Sequence, residues 1–123
     1  MARDSLKLTT LKIIRDDDTL WHLVDKATKQ PLILVLTSEQ FCQPCKELHP
    51  HLKPLADEYE GRLTFAKADP EDMEDDTMTD LDVDAVPTIL FIYQGEVIDQ
   101  YDGFENIADL KKFLNENLKD ALH

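Results

Sequence analysis

Apolar and polar positions along this chain follow two periods, and the switches between them mark its elements. Residues 10–15, "TLKIIR", read as a short strand. "DDDTLWHLVDKATK" then places Leu20, Leu23, Val24 and Ala27 at helical spacing, with Asp16 to Asp18 available as N-caps. "PLILVLTS" is a continuous apolar run, which suits a central strand covered on both faces. From Phe41 the apolar positions step through Cys45, Leu48, Leu52, Leu55, Ala56 and Tyr59 in threes and fours, an amphipathic helix ending at Gly61. Pro50 and Pro54 fall inside it, and each removes a backbone donor, so a kink is expected.

"RLTFAKAD" gives the next strand, and the acidic segment 69–84 is expected to hold a short or irregular helix. "PTILFIY" and "EVIDQYDG" are two strands parted by Gln94 and Gly95, a hairpin signal. "NIADLKKFLNENLKDAL" closes the chain as a helix with its stripe at Ile107, Leu110, Phe113, Leu114 and Leu118. The order β-α-β-α-β-α-β-β-α implies an α/β fold, a mixed sheet with helices on both faces. No internal repeat or linker interrupts it, and residues 1–123 are expected to form a single domain.

Composition narrows the partners. A chain of 123 residues with 42% apolar content can bury a core without metals or cross-links. Acidic residues number 26 against 13 Lys and Arg, a formal charge of -13. That balance argues against nucleic acid and anionic membrane surfaces, and it would attract basic segments if it were gathered near a site. The first thirty residues lack an apolar signal core and already carry acids at Asp4 and Asp16 to Asp18; the apolar runs 32–36 and 89–92 are far too short to span a bilayer. The expectation is an intracellular monomer, cytosolic or cytosol-facing.

Both cysteines of the chain sit in "FCQPCK". In a reducing compartment such a pair is more often catalytic or metal-binding than structural. A working dithiol needs one sulfur with a lowered pKa and a second within reach. Cys42 is expected at or just before the first helical turn, where free N–H groups and the helix dipole favour an anion. Lys46 in the same turn is a candidate for tuning it, and Pro44 restricts the turn. Lowering a thiol from about 8.5 to about 7 takes roughly 2 kcal/mol. Two intervening residues let Cys45 attack a mixed disulfide at Cys42 and release the reduced partner. The same spacing also opens zinc sites, and the nearest completion here is Cys42, Cys45, His49 and His51. Residues 49 and 51 point about 200° apart on a helix, which opposes one tetrahedral site. Both histidines are therefore expected on a solvated helix face, with no metal bound.

In these residues the chain resembles the thioredoxin family over about 11–118. The marks are the strand running into "FCQPCK", Pro50 five residues after Cys45, Val86-Pro87-Thr88, and "IYQGEVIDQYDGF" with Gly95 and Gly103. The resemblance implies a thioredoxin fold, Cys42 as nucleophile and Cys45 as resolving thiol. It also implies a cis Pro87 facing the dithiol, with the Val86 backbone pairing with an extended substrate segment. Phe41, Gln43 and Pro44 join Val86 and Pro87 as candidate substrate-binding residues. No cofactor is implied beyond an unidentified thiol or reductase as electron donor. Departures are equally specific. Thioredoxins usually carry a buried acid where Leu36 stands, and tryptophans where Ser38 and Phe41 stand; Gln43 replaces the commonest glycine. Lys67, the partner of the missing acid, is either a cation tuning the thiols or a lysine at a strand edge. The expectation is a thiol-disulfide oxidoreductase specialised in partner choice; the alternative is a binding protein of the same fold with a vestigial or regulatory dithiol.

The segment "DPEDMEDDTMTDLDVDAVP" imitates a calcium loop at Asp80, Asp82 and Asp84, but Ala85 and Phe91 occupy the positions that need Gly and Glu. A solvated acidic face is the plain reading. The sharper one is that Asp82 and Asp84 bias the protein toward basic partner segments.

Overall fold

A computed structural model describes residues 10–121. Asp4 and position 122, the end of the last expected helix, lie outside the described residues. The elements are β1 (Leu11–Ile14), α1 (Asp17–Lys26), β2 (Leu32–Leu36), α2 (Gln43–Glu58), β3 (Thr64–Ala68), a single 3₁₀ turn (Pro70–Asp72), α3 (Asp75–Asp80), β4 (Thr88–Tyr93), β5 (Glu96–Asp102) and α4 (Ile107–Ala121). Their order matches the reading from periodicity. The acidic segment supplies the 3₁₀ turn and the six-residue α3, as expected.

The sheet runs β1-β3-β2-β4-β5, with β1, β3 and β2 parallel and β4 and β5 antiparallel additions. The continuous apolar run becomes the central strand because both of its faces are covered. Leu32, Leu34 and Leu36 pack with Leu20 and Val24 of α1. Ile33 and Val35 pack with Leu48, Leu52 and Leu55 of α2 and with Leu110 and Leu114 of α4. Helices therefore flank the sheet on both sides, each burying one stripe.

Local chemistry sets the boundaries. The Asp16 carboxylate accepts from Thr19 N at 2.7 Å, which caps α1 and holds that carboxyl below its ordinary value. Gln94 (φ 53°) and Gly95 (φ 79°) are both left-handed, the requirement of a type I′ hairpin. The α2 helix is continuous through Pro50 and Pro54, both on its exposed side, where water can serve the carbonyls that lose a donor. Lys67 is half-buried in β3, flanked in register by Ile13 and Val35. Because β3 lies between β1 and β2, the strand-edge reading of this lysine is corrected. Among the described residues, no helix is long and apolar enough to cross a membrane.

Candidate functional site

Cys42 and Cys45 form a disulfide at the start of α2, with Cα atoms 5.2 Å apart. Cys42 is the N-cap: its backbone is extended, and its Sγ accepts the N–H of Cys45 at 3.2 Å. One of the orphan donors of the helix thus points at the sulfur, so charge developing there meets an N–H and the positive end of α2. Lys46 extends into solvent from the same turn, and its N–H donates to Cys42 O at 3.2 Å. Pro44 occupies the first turn, where its missing N–H costs nothing. Cys42 is 8% exposed and Cys45 fully buried.

Phe41 reaches Cys42 from a left-handed conformation (φ 52°), and its ring is fully exposed. A bulky residue at positive φ costs about 1 to 2 kcal/mol. The preceding turn is held by Ser38, whose Oγ accepts from Gln40 N at 3.1 Å. Gln43 does not lean over the sulfur; its amide turns along the helix to Glu47 at 3.4 Å.

Across from the disulfide, the Val86–Pro87 peptide is cis, and Val86 O lies 3.8 Å from Cys42 Sγ. This is the juxtaposition implied by the resemblance. The loop is tied on both sides. Thr88 Oγ1 donates to Ala85 O at 2.7 Å, and Gly103 N donates to Pro87 O at 2.8 Å from a left-handed glycine (φ 76°). The threonine of Val-Pro-Thr is thus a buried strut, and Gly103 permits the bend that brings its own N–H to the proline carbonyl.

An open cleft of about 370 Å³ runs from Cys42 and Phe41 past Met78, Val83 and Val86, with Asp69, Glu71 and Asp84 among its lining residues. Its apolar wall comes from the end of α3, which closes with paired hydrogen bonds, Asp82 N to Thr79 O at 3.0 Å and Val83 N to Met78 O at 2.9 Å. That C-terminal motif needs a left-handed residue, here Asp82 (φ 60°) rather than glycine. The other end of α3 is capped from a distance: Asp17 accepts from Glu74 N at 3.1 Å and from the Thr77 hydroxyl. Of the two acids singled out in sequence, Asp84 lines the cleft and Asp82 does not, while Asp69 and Glu71 join it. Their spacing gave no sign of this, because β3, the 3₁₀ turn and the cis-proline loop converge only in three dimensions.

The expectation for the histidines is corrected. Both are half-buried. His49 Nε2 lies 2.9 Å from Thr37 Oγ1, and His51 stacks toward Phe104 with ring centroids 5.7 Å apart. Burial, with the charge of Lys67, pulls the His49 imidazole below its ordinary value, against the smaller effect of Glu39. The four residues of the zinc alternative do not converge, and no group of three or more metal-ligating side chains capable of holding an ion occurs among the described residues.

A helix-capping disulfide facing a cis proline, on a mixed five-stranded sheet with helices on both sides, defines the class: a thioredoxin-fold domain with a CxxC pair. A family model described as Thioredoxin matches residues 11–116. "Thioredoxin, mitochondrial" of Mus musculus is 33% identical over 107 residues, covering 87% of this chain and 62% of that protein. The protein of the same name from Bos taurus is 35% identical over 106 residues, covering 86% and 61%. "Thioredoxin C-2" of Corynebacterium nephridii is 32% identical over 78 residues, covering 63% and 71%. A solved structure of Plasmodium falciparum thioredoxin superposes with a TM-score of 0.75 over 85% of this chain and 97% of that one, at 20% identity. The chain belongs to the thioredoxin family. It spans about three fifths of the length of the mouse and cattle relatives.

Proposed function

We propose that this protein is a thiol-disulfide oxidoreductase acting on protein disulfides, working as a monomer and as one thioredoxin-like domain over residues 1–123. The observation that carries the reading is the placement of Cys42 Sγ: it caps α2, receives the Cys45 N–H, and faces Val86 O at the mouth of the cleft. In the reduced protein the Cys42 thiolate attacks one sulfur of the partner disulfide. A mixed disulfide forms and the partner's first thiolate leaves. Cys45, as thiolate, then attacks Cys42 Sγ, closes the 42–45 bond and releases the second partner thiolate. Two electrons reach the partner, which takes up two protons, and a thiol or reductase donor in a reducing compartment restores the pair.

The cleft supports a finer reading of the partner. Val86, before the cis Pro87, presents a backbone edge to an extended segment; Phe41, Met78 and Val83 receive an apolar side chain; Asp69, Glu71 and Asp84 favour a basic one nearby. Phe41 and Pro44 are the exposed shoulders of the motif, and Gln43 contributes its outer surface. Lys46 and Lys67 are the cations available to tune the thiols, the first beside Cys42 in α2 and the second behind the strand ends. The compartment we favour is intracellular, cytosolic or cytosol-facing.

The test is turnover of a model protein disulfide. Wild-type protein reduces it; Cys42→Ser abolishes turnover; Cys45→Ser accumulates mixed disulfides that resolve only on adding an external thiol. An inert wild type overturns the reading. A second reading, a binding module with an idle dithiol, is favoured by Leu36, whose apolar burial leaves no acid behind the pair. It expects a double Cys→Ser variant to hold partners as well as wild type does.

A further inference from the structure

Cys45 is fully buried, and its thiol has to lose a proton before it can attack. Leu36 is no help, because its side chain packs in the apolar layer beneath α1. Two polar residues at this end of the sheet, Thr37 and Lys67, lie on the opposite face, toward α2. Thr37, 2% exposed, follows Leu36 directly, and alternation turns it to that side. Lys67 shares the side, since Phe65, two residues earlier, packs against α2.

His49 meets this group from the helix. It stands four residues beyond Cys45, within the inner stripe that continues through Leu52 and Ala56, so the two Cβ atoms are about 5 to 6 Å apart. Helical side chains lean toward the N-terminal turn, which is the direction of Cys45 from His49. Its Nε2 is fixed on Thr37 Oγ1 at 2.9 Å. When Nε2–H donates to that hydroxyl, Nδ1 is left with a free lone pair. The charges facing the ring are Lys67 from β3 and Glu39 from the loop after β2. Arg15, Asp69 and Asp72 line the adjoining cleft with Thr37. Burial and Lys67 favour the neutral ring, the form able to accept a proton.

We propose that His49, oriented by Thr37, takes the proton from the Cys45 thiol and so replaces the carboxylate missing at Leu36. The proposal rests on the oxidoreductase reading. In the resolving step the Cys45 S–H bond breaks and its proton passes to Nδ1, directly or through one water. The Cys45 thiolate forms the bond to Cys42 Sγ, the mixed disulfide breaks, and the partner leaves with the electron pair. The half-buried imidazolium then returns its proton to solvent.

Stopped-flow mixing of the reduced protein with an aromatic disulfide separates the steps, because attack by Cys42 releases one coloured thiol and resolution by Cys45 a second. For His49→Gln, which can keep a hydrogen bond to Thr37, the first phase should be unchanged. The second should slow by about 100-fold at pH 7, rise with hydroxide, and meet the wild-type rate above the ordinary thiol pKa. A second-phase pH profile identical to wild type overturns the proposal. Failure of the oxidoreductase reading looks different: wild type then shows no first phase, and both ideas fall. A measurement without any variant also decides. In an NMR titration of the wild-type protein, the His49 ring signals should show a further step as Cys45 ionises in the thiol range in the reduced form, and none in the oxidised form; a reduced protein without that step overturns the assignment.

Discussion

Phe41 pairs two costs that structural residues avoid together, a left-handed backbone and a fully exposed ring. Nothing in the fold requires the side chain, and the proposed function assigns it to contact with what enters the cleft. Phe41→Ala should leave stability within about 0.5 kcal/mol, because no buried contact is lost and the backbone strain is unchanged. The KM for a protein disulfide should rise several-fold with kcat little altered, which steady-state kinetics and urea unfolding would show together. At this scale the sequence was informative where chemistry is local. Cys42 at the start of α2 and Cys45 inside it were readable from motif and spacing, and the cis bond before Pro87 came only with the family resemblance. His49 was misjudged, although its place four residues after Cys45 and three before Leu52 already put it on the inner face. A polar residue in an apolar stripe was the available signal.

Among the elements, α3 is the one held least by its own sequence. Six residues cannot sustain a helix alone, and Glu74 at its N-cap makes no side-chain cap bond. Asp17, on a different helix, supplies the acceptor, and Asp82 adopts the left-handed closing position. Asp17→Ala should therefore cost about 1 kcal/mol, the usual loss for a missing cap. Hydrogen exchange should quicken over residues 74–83 while β2 and β4 keep their protection; uniform quickening across the sheet would contradict this local account. Such long-range capping explains why the acidic segment was legible only as short or irregular. The period of α1, α2 and α4 and the run of β2 were plain because each stripe serves one face of the sheet. A contact between residues 17 and 74 leaves no trace in local periodicity. The mistaken strand edge for Lys67 has a similar cause, since strand order is not written in strand content.

For the molecule as a whole, a formal charge of -13 spread over a chain with only two ion pairs among the described residues leaves most acids facing water. Asp69, Glu71 and Asp84 gather at the cleft, and the proposed preference for basic partners rests on them. Reduction of a substrate whose disulfide lies beside Lys or Arg should slow as salt rises, since exposed charges are screened over about 8 to 10 Å. Glu71→Lys with Asp84→Lys should flatten or reverse that slope and slow the basic substrate about 10-fold, leaving a neutral one near its wild-type rate. Unchanged salt slopes in the double variant would remove charge from the account of partner choice. Composition alone raised the expectation of basic partner segments, but where the acids gather on the surface required the fold.

The two sulfurs also differ in how the world outside reaches them. Cys42 borders the cleft, whereas Cys45 is closed off beneath the first turn of α2. In the reduced protein a small alkylating reagent therefore meets the pair at two tempos: one label at encounter speed, the other only when that turn opens. The slower tempo turns the dithiol into an internal clock for the breathing of its own helix end, readable by mass spectrometry without adding any probe to the chain.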